Sequence, residues 1–441
     1  MKPSISVIGL GYVGLCTAVC FAAKGFKVYG ADIDEKRVND LSKGKSPIYE
    51  PRLEEFIKKT LRTRMFTPTT DIDSALAQTS MTFVSVGTPS LRDGSIDLSS
   101  VKHASSAIGN SLGKKRDWHL VVIRSTVVPT TCDRVVKPEI EAASSKQCGQ
   151  GWGLCVNPEF LKEGSAIHDT IYPDRVVIGE SDERSGNTLS SLYRMFFRRN
   201  VIIERMSMTN AELVKYASNA FLAMKVSFVN MIANLCETVP LADVTVVTHA
   251  IGLDRRIGPS FLHAGLGYGG SCFPKDLKAL VAFGKKQNVD LPLALATAEI
   301  NEKQPLRAVD LGEKLIGDLS GKRVAVLGLA FKPDTDDMRE AVSIPVIREL
   351  LKRQAHVVAY DPKAIQQAVK IFGTSISYAE SAANCIRGSE LSILVTEWKK
   401  LGELKPQDFK RLMKQPALVD GRRLFDPSQL AGLKFAAVGL G

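Results

Sequence analysis

The chain reads as an α/β protein: two doubly wound parallel-sheet domains joined by a central helical domain. Three observations carry that reading. A glycine fingerprint follows the first apolar run, a long stretch without Gly or Pro fills the middle, and a second strand–glycine–strand–acid pattern starts at Arg323. At 441 residues the chain exceeds what one hydrophobic core serves. The expected boundaries are 1–205, 206–305 and 306–441.

The first block opens with Ile5 to Ile8, an apolar run suited to a buried parallel strand, and Leu15 to Ala23 continues as a helix. Between them stands Val7-Ile8-Gly9-Leu10-Gly11-Tyr12-Val13-Gly14. Gly9 permits a tight turn, Gly11 lets backbone approach a pyrophosphate, and Gly14 lets helix and strand close up. The following helix N-terminus then faces the phosphates with its positive end. A second strand, Lys27 to Ala31, ends in Asp32, roughly 20 residues beyond the glycines, where a carboxylate takes the ribose hydroxyls. That carboxylate repels a 2′-phosphate, so NAD is expected over NADP, although Arg37 lies close by. This makes the domain Rossmann-like. Further strands are expected at Met81–Val86, Leu120–Ile123 and Arg175–Ile178. Gly87-Thr88-Pro89 and Arg124-Ser125-Thr126 follow two of them, where ligand loops gather in such sheets.

The central block is helical. Ser207-Met208-Thr209-Asn210 offers capping side chains, and Ala211 to Glu237 runs without Gly or Pro. Val214, Phe221, Leu222, Val226, Phe228, Met231 and Leu235 make it apolar on much of its circumference. Such a helix is buried in a core or against a second subunit, and a homodimer built on it is expected.

The third block repeats the first in outline. Arg323 to Leu327 is a strand ahead of Gly328, a helix passes through Ile347 to Lys352, and His356 to Tyr360 ends in Asp361. Strands at Leu391–Val395 and Ala417–Asp420 complete the pattern. Ala330 replaces the second fingerprint glycine and no third follows in register, so the dinucleotide turn is lost and part of a nucleotide substrate is the better fit.

Charged content of 24% and hydrophobic content of 44% are ordinary for a globular enzyme. The net charge of +11 comes from scattered residues, with short runs such as Arg198-Arg199 and Lys399-Lys400. No basic stretch is interleaved with aromatics, so no nucleic acid partner is expected, and a surface attracting anionic nucleotides suffices. The eight cysteines include no CxxC pair, and no metal site is expected. Met1-Lys2-Pro3-Ser4 leads straight into the first strand, and no apolar run reaches the roughly 20 residues that span a bilayer. A cytoplasmic protein with reduced thiols and no membrane partner is expected.

Chemistry concentrates in Gly267-Tyr268-Gly269-Gly270-Ser271-Cys272-Phe273-Pro274-Lys275-Asp276. A cysteine set among glycines, with a lysine and an acid nearby, is how a thiolate nucleophile is presented. The same pattern also fits a half-buried cysteine in a glycine turn. Asn157-Pro158-Glu159-Phe160-Leu161-Lys162-Glu163-Gly164 carries two acids four apart, and Lys215 and Asn219 share one face of the central helix. Separately, Lys215 could be a surface lysine and Glu159 a helix-start acid. With Cys272 and Asp276 they make a set suited to oxidising an aldehyde to an acid.

The motifs GLGYVG, RSTVVP, NPEFLKEG, ELVKYASNAFLA, RIG, GYGGSCFPKD, FKPDTDD and DGRR occur in this order. Over essentially the whole chain they resemble the UDP-glucose/GDP-mannose dehydrogenase family. The resemblance implies two successive NAD-dependent oxidations at C6 of a UDP-hexose, an alcohol becoming a carboxylate through a thiohemiacetal and a thioester on Cys272. UDP-glucose is the first candidate, with UDP-galactose, a UDP-N-acetylhexosamine or GDP-mannose as alternatives. It further implies that Lys215 and Asn219 stabilise oxyanions at C6, that Asp276 orients water or shares protons, and that Glu159 and Thr126 serve thioester hydrolysis. Gly9, Gly11, Tyr12, Val13, Gly14, Asp32, Arg37, Thr88, Thr126, Glu163 and Arg339 would contact the cofactor. Glu159, Phe160, Leu161, Lys162, Lys215, Asn219, Phe261, Gly267, Lys332 and Arg422 would contact the substrate, and Arg256 would reach a neighbouring subunit's sugar. His263 and Gly87 depart from the family pattern.

Overall fold

The structure is a computed structural model that describes residues 2–197 and 200–441; Met1 and the Arg198-Arg199 run lie outside the described residues. The chain divides into two compact units, the first ending at Ser218 and the second beginning at Asn219.

The first unit is built on one eight-stranded sheet: β1 (Ile5–Ile8), β2 (Val28–Ala31), β3 (Phe66–Thr69), β4 (Met81–Val84), β5 (His119–Ile123), β6 (Trp152–Val156), β7 (Arg175–Glu180) and β8 (Ile202–Ser207). Their order is β3-β2-β1-β4-β5-β6-β7-β8. Only the β6–β7 pair is antiparallel. Every residue of β1, β2, β4, β5 and β6 is buried, as befits parallel strands covered on both faces. The chain reverses direction of progress beside β1, so the glycine turn sits at the switch point where such sheets bind ligands. The helix after β1 starts at Tyr12, three residues earlier than the hydrophobic pattern places it, because Gly11 serves as its N-cap.

The long central helix runs Met208–Cys236. Of the capping residues offered by sequence, Ser207 fills the role, its Oγ accepting from the Asn210 N–H at 3.3 Å. Among the described residues it is the one helix long and apolar enough, by length and composition, to cross a membrane. That differs from the expectation that no segment would reach this length, because Glu212, Lys215 and Lys225 are spread too thinly to break the apolar average. A core helix passes the same test, and Ala211, Glu212, Lys215 and Tyr216 are all buried in protein.

The second unit holds a six-stranded, all-parallel sheet: β9 (Arg323–Leu327), β10 (His356–Tyr360), β11 (Ser377–Tyr378), β12 (Leu391–Leu394), β13 (Ala417–Asp420) and β14 (Lys434–Ala437), in the order β11-β10-β9-β12-β13-β14. Here β9 lies between β10 and β12 as β1 lies between β2 and β4. The later part of the long helix shares this unit's core: Val229, Ala233 and Cys236 pack with Leu262, Leu266 and the strands.

Candidate active site

In the first unit the glycine turn is fixed by close approach. Gly9 has φ +87°, and a Cβ there would lie 2.8 Å from the Ser85 carbonyl oxygen. A Cβ on Gly14 would lie 1.9 Å from the Gly9 carbonyl oxygen, so helix and turn meet only without side chains. Gly11 has open space where its Cβ would project, as backbone approached by a pyrophosphate requires. Asp32 follows β2 and is 7% exposed; its Oδ2 accepts from Leu10 N–H at 2.7 Å and from the Arg37 guanidinium at 2.8 Å. These residues fit NAD: an open glycine cradle, a helix N-terminus and a carboxylate at the ribose position. Thr88 and Thr126 are joined, the Thr88 hydroxyl donating to the Thr126 carbonyl at 2.9 Å. Val13 and Glu163 are half-buried.

Tyr12 does more than follow a glycine. Its hydroxyl meets the Glu50 carboxylate and accepts from Gly164 N–H at 3.0 Å. Glu50 also accepts from Gly164 N–H at 2.7 Å and Ala166 N–H at 2.8 Å, so it ties the first helix to the NPEFLKEG segment. Burial and the Glu50 contact push the Tyr12 phenol well up, keeping it protonated.

The NPEFLKEG segment leaves the end of β6 and meets the long helix. Lys215, 4% exposed, donates from Nζ to the Glu159 carbonyl at 2.7 Å and to its carboxylate Oε1 at 3.1 Å. The Glu159 carboxylate also accepts from Leu161 N–H at 2.6 Å. Burial alone would raise the Glu159 carboxyl; the Lys215 ammonium, the Leu161 N–H and the Arg124 guanidinium outweigh it and hold the group below its ordinary range. Lys215 is therefore no surface lysine, and Glu159 no helix-start acid. The Phe160 ring has the Arg175 guanidinium at 4.3 Å and the Lys215 ammonium at 5.4 Å from its centroid. Lys162 is exposed, its ammonium 3.9 Å from Asp169. A cavity of about 210 Å³ opens here, lined by Arg124, Asn157, Glu159, Phe160 and Arg175, with room for several waters.

In the second unit Cys272 is exposed and stands at the N-cap of the helix Phe273–Lys286. Anions are stabilised at that end of a helix. The other cysteines, apart from half-buried Cys148, are buried, and no disulfide occurs among the described residues. Asp276, 1% exposed in the helix's first turn, accepts from Asn219 Nδ2 and from Lys275 Nζ, both at 2.6 Å. The glycines ahead of Cys272 are pressed against the FKPDTDD segment. A Cβ on Gly269 would lie 2.2 Å from the Glu340 carbonyl oxygen, and Gly270, at φ +83°, would meet the Phe331 ring at 2.8 Å. The Gly270 N–H donates to the Arg339 carbonyl at 2.9 Å. Arg422 pins the same loop from the end of β13, donating to the Gly267 carbonyl at 3.0 Å and the Val395 carbonyl at 2.7 Å. Lys332 lies over the Phe331 ring at 5.4 Å. Phe261 is half-buried at φ +64°, with its ring 6.1 Å from that of Phe273. Arg339 and Arg256 reach solvent, each held by an aspartate two residues before it, Asp337 and Asp254. His263 is exposed.

Sequence reasoning missed Glu50, Arg124, Asn157 and Arg175, which act through other residues. Arg124, 7% exposed, bonds Thr17, Asn157 and Tyr193. Its place in RSTVVP, two residues before Thr126, was the available signal. Glu50 lies in no motif, and only the fold brings it to Gly164. Among the described residues no group of three or more His, Cys, Asp or Glu side chains could hold a metal ion.

A glycine turn at a switch point, a ribose carboxylate, and an exposed cysteine at a helix start define a dinucleotide-dependent dehydrogenase. Comparison with known proteins agrees. Three profiles of the UDP-glucose/GDP-mannose dehydrogenase family match: the NAD binding domain over residues 3–197, the central domain over 209–303, and the UDP binding domain over 325–427. UDP-glucose 6-dehydrogenase AglM of Haloferax volcanii is 43% identical over 95% of this chain and 96% of its own length. UDP-glucose 6-dehydrogenase TuaD of Bacillus subtilis is 40% identical over 99% of this chain and 93% of its own. The solved UDP-glucose dehydrogenase of Pyrobaculum islandicum superimposes with a TM-score of 0.93 at 39% identity, covering 100% of this chain and 98% of that one. The chain belongs to the UDP-glucose/GDP-mannose dehydrogenase family, as its motifs led one to expect. It is an NAD-dependent oxidoreductase.

Proposed function

We propose that this chain oxidises UDP-glucose to UDP-glucuronate through a covalent thioester on Cys272. The observation that carries the reading is the exposed thiol at a helix start, one turn from a buried carboxylate held by Asn219 and Lys275. Relatives named for UDP-glucose stand at 40–43% identity, whereas a UDP-D-ManNAc dehydrogenase of Pyrococcus horikoshii shares the fold at 25%. That ordering favours glucose over UDP-galactose, a UDP-N-acetylhexosamine or GDP-mannose.

NAD, held by Gly9, Gly11, Tyr12, Val13, Gly14, Asp32 and Arg37 with Thr88, Glu163 and Arg339, supplies the hydride acceptor for both oxidations. In the balance the C6 alcohol, two NAD⁺ and one water give a carboxylate, two NADH and three protons. Lys215 and Asn219 stabilise the alkoxide that develops at C6. The Cys272 sulfur adds to the aldehyde carbon while the thiol proton passes to the aldehyde oxygen, so the intermediate stays tethered. After the second oxidation water attacks the thioester carbonyl, the C–S bond breaks, and the thiol is restored. Glu159 takes up the proton of that water, Thr126 positions it, and Asp276 shares the proton traffic. The cavity beside Glu159 supports this division, since water has room next to a carboxylate kept ionised by Lys215.

Glu159, Phe160, Leu161 and Lys162 address the sugar. Phe261, Gly267, Lys332 and Arg422 address the UDP portion, Arg422 through the loop it pins. The working form is a homodimer. On the long helix Phe221, Phe228, Met231 and Leu235 are exposed in the single chain, and a second copy would cover them while Arg256 reaches the neighbour's sugar. Three functional domains, 1–205, 206–305 and 306–441, a cytoplasmic setting and a product feeding polysaccharide biosynthesis complete the reading.

The test is NADH yield per limiting UDP-glucose with excess NAD. Two equivalents are expected, and one equivalent would mean that the aldehyde is released. Cys272→Ala should abolish UDP-glucuronate; undiminished acid formation would sink the thioester scheme.

A further inference from the structure

Glu212 stands three residues before Lys215 on the long helix and is 2% exposed. Its carboxyl group faces main chain: Oε2 accepts from Thr130 N–H at 2.6 Å and Oε1 from Cys132 N–H at 2.8 Å, with the Cys132 thiol also bonded to it, and burial pushes its pKa up to about 7. Those amides end the loop that begins at Ser125-Thr126 and start the helical turn Cys132–Val136. Thr130 has φ +73°, a left-handed conformation that a β-branched residue adopts only when its surroundings impose it. The far end of the same loop is fixed by the Thr88–Thr126 bond. A buried carboxylate spent on two backbone amides is costly unless the geometry it fixes matters.

We infer that Glu212 is a positioning residue for thioester hydrolysis: it clamps the Thr126 loop onto the helix that carries Lys215, setting the water-holding threonine against the Lys215–Glu159 pair. The inference rests on the proposed function, because Thr126 matters only if water must be placed for a deacylation step. The clamp joins the Thr126 loop directly to the helix whose Lys215 holds Glu159, so it sets the water-placing threonine relative to the Lys215–Glu159 pair. Glutamine at position 212 keeps the shape and one acceptor but turns an NH₂ donor toward one of the two amides, leaving that amide opposed.

The experiment compares wild type with Glu212→Gln in single-turnover and steady-state assays with UDP-glucose and excess NAD, following NADH and the mass of the Cys272 peptide after rapid quenching. The wild type should yield two NADH with little acylated enzyme. In the variant kcat should fall about 10- to 100-fold, as small misplacements in a catalytic centre cost. KM values should stay within about twofold, and acylated Cys272 should accumulate. An unchanged kcat, or a lost kcat without acyl-enzyme, overturns the inference. Should Glu212→Gln fail to fold, Glu212→Asp, which keeps the carboxyl group but draws it back by one methylene, decides by the same readouts. One NADH or none from the wild type would sink the proposed function and this inference with it. A normal wild type beside an unaltered variant sinks the inference alone.

Discussion

The two sheet domains solve the same turn in opposite ways. After β1, the three residues Gly9 to Gly11 lead into a helix at Tyr12. After β9, Gly328 turns with φ +97°, but fifteen residues, Gly328 to Val342, intervene before the helix at Ser343. Both second strands end in an acid. Asp32, 7% exposed, accepts from the Leu10 and Asp34 amides and from the Arg37 guanidinium. Asp361, 1% exposed, accepts from the Leu329, Ala330, Lys363 and Ala364 amides and from the Trp398 indole N–H at 3.0 Å. The indole occupies the bonding capacity that a ribose would need. The second domain has thus closed its dinucleotide site and spent the space on a loop that presses against the cysteine segment. A duplicated fold keeps its backbone turn and changes its ligand by what fills the acid's lone pairs.

Substitutions at the two turns should break this contrast most sharply. Gly14→Ala forces a Cβ into the Gly9 carbonyl, a clash with rigid backbone that should cost about 3 kcal/mol or more. A lowered melting temperature together with lost NAD binding by calorimetry is expected; retained NAD affinity would contradict the account of the turn. Gly269→Ala drives its Cβ into the Glu340 carbonyl in the other unit. Here NAD affinity should hold within about twofold while turnover drops about 100-fold, because the error lies in the cysteine loop and not in the cofactor cradle.

The two acids separate next. Asp32→Asn should raise KM for NAD about tenfold, near what one charged hydrogen bond contributes, with the melting temperature little changed. Trp398→Phe should do the reverse. Loss of one donor to a buried carboxylate that keeps four backbone amides should cost about 1–2 kcal/mol by chemical denaturation. It should leave KM for NAD untouched, and a rise in that constant would mean Asp361 is not the closed counterpart of Asp32.

Much of this contrast was legible in the sequence because glycine is a direct report on backbone. The fingerprint predicts the β1 turn, and Ala330 predicts its loss after β9. Strand cores were equally legible, since fully buried parallel strands are unbroken apolar runs, and the structure moves their ends by at most two residues for most of them. Within the candidate site the sequence singles out Glu159, Lys215, Asn219 and Asp276 as one set, but the pairing of Glu159 with Lys215 and of Asn219 with Asp276 comes from the fold. What stayed hidden depends on pairing across long sequence separations. Nothing near Glu50 announces Gly164, nothing near Trp398 announces Asp361, and nothing near Arg422 announces its bond to Gly267. The long helix hid its own extent for a different reason: hydrophobic periodicity cannot show which of four capping residues wins.

The smallest expected effect concerns acid, and the two units should answer it with opposite sign. Glu159 is buried, yet Lys215, the Leu161 amide and Arg124 hold its carboxyl below the ordinary range. Its folded pKa is lower than its unfolded one, so its contribution is present above the unfolded value and is lost as pH falls through the folded value. Asp420, at the end of β13, is raised instead: burial outweighs the Phe425, Arg422 and Leu424 amides and Arg423. For that group the folded state binds the proton more tightly, so stability is greatest below the unfolded pKa and declines as pH rises toward the folded one. Acidification from neutral pH should therefore loosen the unit carrying Glu159 before the unit carrying Asp420. Hydrogen exchange read separately over β6 and β13 from about pH 6 down to about pH 2.5, across and below the ordinary carboxylate range, measures this. Glu159→Gln should flatten the response in the first unit and Asp420→Asn in the second; parallel loss of protection in both would show that neither carboxyl governs the acid response of its own sheet.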